Sequence, residues 1–116
     1  MRNLNTVERN LRQQKEKVRE MRNQKEFYRA EKKLIFLKDL RDMNNEAVEI
    51  LRDDLRNWRR LFRREVETEQ ITQEEYNELE KRVEKEINEK IERLENENYK
   101  FMMEAKKINE NLEEIK

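Results

Sequence analysis

The sequence predicts an all-α protein: an antiparallel helical hairpin, a coiled coil folded on itself, with an N-terminal helical overhang. Three observations predict it. Gly and Pro are both absent from the 116 residues, so no helix breaker interrupts the chain. A seam recurs at Leu37, Leu40, Asn44, Ala47 and Leu51, in steps of 3, 4, 3 and 4, which is helical periodicity. The same seam runs backwards through Phe101, Asn98, Leu94, Ile91 and Ile87. Folding the chain about residue 69 sets Leu37 against Phe101, Leu40 against Asn98, Ala47 against Ile91 and Leu51 against Ile87. Both seams then break rhythm in one layer, with a step of four from Leu51 to Leu55 and from Ile87 back to Val83. A shared stutter follows if the two segments lie antiparallel. Beyond it the first seam continues through Trp58.

Composition sets the limits. The length allows at most one domain. Charged residues make up 48% of the chain, a level compatible with disorder, but a disordered chain has no reason to keep a long apolar period. No stretch alternates with period two, so strand is excluded. With no Cys, the redox compartment leaves no mark. No apolar run reaches the ~20 residues needed to span a bilayer, and no signal-peptide core opens the chain. A soluble, cytoplasmic protein is the expectation.

Residues 1–26 form a thinner helix. Leu4, Val7, Leu11, Val18 and Met21 follow a heptad, while Gln14, Lys25 and Lys32 occupy its remaining core positions. This heptad is out of phase with the one that starts near Leu34. The folding rule pairs Ile115 with Asn23, so residues 1–22 have nothing to pack against and overhang by ~33 Å. The domain division is therefore a basic overhang over 1–22 and a hairpin over 23–116, with helices at 23–67 and 72–115 and a turn at 68–71. Polarity rises at Asp42, Met43, Asn44 and Asn45, where Asn could cap a new helix. The seam passes through in phase, which favours one helix over a three-helix bundle broken at 42–45. One continuous helix in a parallel dimer is the other alternative.

The turn is signalled by Thr72-Gln73-Glu74-Glu75, which fits a capping box, with Ile71 placed to staple onto Tyr76. Glu74 and Glu75 suit the positive end of the new helix dipole. Ile71 to Tyr76, with Leu61 before and Leu79 and Val83 after, resembles the turn of the short C-terminal hairpin domains, with Gln70 where that family usually has Gly. The resemblance covers about 24 residues and implies a small module that supports oligomerisation or recruitment.

Charge is divided between the arms. Residues 1–66 hold 19 basic and 12 acidic side chains, and residues 67–116 hold 9 and 16. The arms are expected to neutralise each other, with Arg56 near Glu84, Arg60 near Glu78 or Glu80, and Arg64 near Glu74 or Glu75. Such pairs select orientation and register more than they stabilise. Asn98 on the seam either penalises wrong registers at a cost in stability or marks a loosely packed, hydrated layer.

Catalysis is not expected. Without His, Cys or Ser, the usual general base and nucleophiles are missing, and Thr6, Thr68 and Thr72 have no base beside them. No Gly-rich loop cradles phosphate, and a di-metal bundle site needs Glu-x-x-His motifs. No cofactor, metal or small-molecule substrate is expected. Nucleic acid is the alternative partner, met by the overhang through Arg2, Arg9, Arg12, Lys15, Lys17, Arg19 and Arg22, which wrap around the helix. Arginines beside Trp58 and Phe62 could also stack bases, but both aromatics are expected on the seam. The overhang has too narrow an apolar stripe for membrane binding.

A protein partner has most support, because apolar surface is left over. Phe36, Met43 and Ile50 are spaced by seven, one position off the seam, and Tyr99, Met102 and Met103 lie at a similar height on the other arm. These six are the candidate interface. The expected function is a non-catalytic coiled-coil interaction module, an oligomeric adaptor, scaffold or inhibitor. A second copy is the simplest partner, giving a homodimeric helix bundle.

Overall fold

The computed structural model describes residues 4–115 as two helices, α1 (Leu4–Glu67, 64 residues) and α2 (Gln73–Ile115, 43 residues). Arg2 of the expected overhang lies outside the described residues, as do the side chains of Leu4 and Ile115, and with them the pairing of Ile115 with Asn23. The helices are antiparallel, and α1 runs unbroken through residues 42–45. That removes the three-helix bundle, and the turn removes the single continuous helix. The fold divides into two compact units, one from the chain start to Phe36 with Glu104 onward, the other Leu37–Met103.

In the first unit every described side chain from 5 to 22 is exposed. Coverage begins at Asn23 and continues at Phe27, Ala30 and Leu34, with Ala105, Ile108 and Leu112 half-buried on the second segment. Lys33 Nζ reaches Glu104 Oε1 at 2.9 Å.

The Leu37–Met103 unit holds the most deeply buried side chains: Leu37, Val48, Phe62, Tyr76 and Ile87. Leu40, Ala47, Leu51, Leu55, Val83, Ile91, Leu94, Asn98 and Phe101 are half-buried along the same seam. Trp58 is not on it. The indole is 45% exposed and stacks on Phe62 with ring centroids 5.5 Å apart, while half-buried Arg59 takes the inward position. The stutter explains this. A step of four overshoots a full helical turn by about 40°, so two of them, Leu51 to Leu55 to Arg59, rotate the inward face past residue 58. Val48 is likewise more deeply covered than Ala47.

Pairing between the helices stays close to the folding rule: Phe62 meets Tyr76, whose numbers sum to 138, and Arg59 meets Glu80. Asn98 bonds to the residues that follow Leu40. Its amide donates to the Arg41 carbonyl at 3.3 Å and to Asn45 Oδ1 at 3.0 Å, and it accepts from Asn44 Nδ2 at 3.0 Å. Asn44 also reaches Glu97 Oε1 at 3.3 Å. Both seam amides thus share one layer, where Asn98 Oδ1 accepts from Asn44 and the Asn98 N–H groups are taken up by Arg41 and Asn45.

The turn closes without glycine. Gln70 N donates to Glu65 O at 2.9 Å and Glu69 N to Val66 O at 3.1 Å, the bond pair of a Schellman ending. The residue that must go left-handed is Glu69, with φ 60°. Thr72 then caps α2. Glu75 N donates to Thr72 Oγ1 at 3.2 Å, and Thr72 N donates to Glu75 Oε1 at 3.4 Å, completing the capping box.

Candidate interaction surface

The arm-to-arm charges settle on different residues from those expected. Arg59 lies 3.3 Å from Glu80 through Nε and 3.6 Å from Glu84 through Nη2. The Nε contact is ionic only, since no acceptor lines up with that buried N–H. Arg52 reaches Glu95 at 3.8 Å. Arg56 turns back to Asp53 on its own helix. Among the described residues Arg60 and Arg64 pair with no carboxylate. The rotation that hides residue 59 carries residues 56, 60 and 64 away from α2. Arg63 donates from Nε to the Tyr76 hydroxyl at 3.4 Å; that hydrogen bond raises the guanidinium's pKa further above its usual value, so its charge is unchanged across the working pH range.

These ion pairs mark one side of the Leu37–Met103 hairpin. Glu95, Tyr99 and Met102 are spaced by four and three, so Tyr99 and Met102 share the face of the glutamate that meets Arg52. Met43 is nine residues before Arg52, about 180° around α1. Ile50 is similarly turned away. The expected six-residue interface is therefore not one surface. Met43 and Ile50 look out on the side opposite the ion pairs, and Tyr99 and Met102 lie on the ion-pair side. Phe36, in the first unit, is also exposed, as is Met103.

The structure groups Met43 and Ile50 with two other side chains. Leu61 lies eighteen residues past Met43, five whole turns at about 3.6 residues per turn, and Trp58 stands beside it. These four are 64%, 57%, 44% and 45% exposed for Met43, Ile50, Leu61 and Trp58. They form an apolar stripe about 27 Å long, with a shallow hollow of about 180 Å³ at one end lined by Asp54, Asn57, Trp58 and Leu61. Sequence reading missed Trp58 and Leu61 as surface residues because it placed Trp58 on the seam. The signal was the doubled step of four.

In the first unit Arg12, Lys15, Arg19 and Arg22 follow steps of 3, 4 and 3, so these four form one row, with Arg9 at its edge and Lys17 on another face of the helix. Arg12, Lys15 and Arg19 share a shallow depression with Glu16. Glu8 stands four residues before the row and Glu26 four after it, closing it with acid at both ends.

Among the described residues no three or more His, Cys, Asp or Glu side chains gather as a metal site, and no helix is long and apolar enough to cross a membrane. No protein-family model, no curated protein and no solved structure matches the chain.

Proposed function

We propose that the protein is a non-catalytic helical interaction module whose working surface is the outer stripe of α1. One observation carries this reading. Met43, Ile50 and Leu61 stand exposed in line, with Trp58 beside Leu61, on a well-formed hairpin that buries other apolar residues of the same helix. Large side chains repeated on one face at helical spacing are the pattern a partner helix covers. Exposed singly they would need no explanation; in register they do. The basic row at Arg12 to Arg22 supports no second reading of equal weight, because four like charges bracketed by acid give a short electrostatic footprint.

The test is a paired capture. Tagged wild-type chain and a Met43→Glu/Ile50→Glu variant are used as bait in the native host, with helicity checked by circular dichroism. The expected result is bound protein, another species or untagged copies of the chain, that is lost from the variant while helicity is kept. Equal capture by both baits removes the stripe as the working surface.

A further inference from the structure

We infer that the partner covering this stripe is a second copy of the chain, docked with its α1 antiparallel to the first about a two-fold axis level with residue 52. This rests on the interaction reading above and adds the partner and its orientation.

Charge on the stripe's flank carries it. Residues 39–54 hold six acidic and two basic side chains, and residues 55–64 hold five basic and none acidic. Part of this is neutralised: Arg52 and Arg59 pair with α2, and Arg52 with Glu49 and Arg56 with Asp53 pair within α1. Asp42, Glu46, Arg60 and Arg64 are exposed, and among the described residues none has an ion-pair partner. Asp42 and Arg60 are separated by eighteen residues, as are Glu46 and Arg64. Each pair therefore lies on one face, about 27 Å apart, too far to meet within a chain. The unsatisfied acids border one end of the stripe and the unsatisfied bases the other.

A second α1 laid parallel sets acid on acid and base on base, which is disfavoured. Laid antiparallel with Met43 level with Leu61, it brings Arg60 between the heights of Asp42 and Glu46, and the two-fold repeats each contact. Met43 of each copy then comes to the end of the stripe where Trp58 and Leu61 line the hollow. Tryptophan and arginine are the side chains that most often dominate such contacts. The apolar stripe and its charged flank thus select the same register.

Sedimentation equilibrium of the full chain, combined with dipolar distances from a spin label on Lys38→Cys, tests this. Lys38 is exposed and lies off the stripe, and the chain has no other Cys. A dimer is expected, with the label pair roughly 40–50 Å apart, since the two positions sit about 28 residues apart along antiparallel axes. Ile50→Glu is expected to weaken the dimer about 100-fold without loss of helicity, because it places an unpaired charge in the contact. A label distance below about 25 Å would mean parallel pairing and overturn the inference. So would a monomer at ~100 μM. A monomer that still captures another protein through the stripe leaves the interaction reading standing; one that captures nothing removes both.

Discussion

Within the Leu37–Met103 unit, two layers of the same seam are built from opposite chemistry. Near the turn Phe62 and Tyr76 are both buried and meet edge to face, with centroids 6.4 Å apart, and Trp58 stacks on the outer face of Phe62. Eighteen residues back along α1, Asn44 fills the corresponding layer with an amide bonded to Asn98. The aromatic layer removes apolar surface from water, a contribution that follows area and not direction. The amide layer removes little, but its hydrogen bonds form only when positions 41, 44, 45 and 98 are brought together. One layer supplies stability and the other supplies register.

The largest effect should come from breaking the aromatic layer. Phe62→Ala is expected to cost about 3–5 kcal/mol, from lost transfer energy and the cavity left behind, read as a fall in the thermal unfolding midpoint of more than about 10 °C. A fall of only a few degrees would place the stability of this unit elsewhere. Replacing the amide sharpens the contrast from the other side. Asn98→Leu should leave stability within about 1 kcal/mol or raise it, while the amide spectrum gains a second set of resonances for α2 as alternative registers fill. One clean set of resonances would show that the amide layer does not select register. The smallest effect separates the aromatic layer from the turn beside it. Glu69 is left-handed without being glycine, so Glu69→Gly should stabilise by about 0.5–1 kcal/mol in urea unfolding. A loss of stability would mean that the Glu69 side chain contributes something its backbone strain conceals.

The two apolar stripes of α1 use similar residues, yet one is covered by α2 and the other is not. Leu37 and Val48 are buried where Met43 and Ile50 are exposed. What separates them is angle around the helix and the match of α2's own pattern.

By itself the sequence determined the helices, their antiparallel return, the capping box at Thr72 and the absence of any break at 42–45. Each follows from local chemistry or from a period repeated over many residues, which small errors in register do not erase. Only the tertiary structure decided which residues face which. Arg59 in place of Trp58, the bond between Asn44 and Asn98, and the separation of Met43 and Ile50 from Tyr99 and Met102 all depend on rotations of tens of degrees. Each step of three or four residues misses a full helical turn by about 60° or 40°. These offsets accumulate along the seam, and only the packing of one helix on the other fixes where they stop.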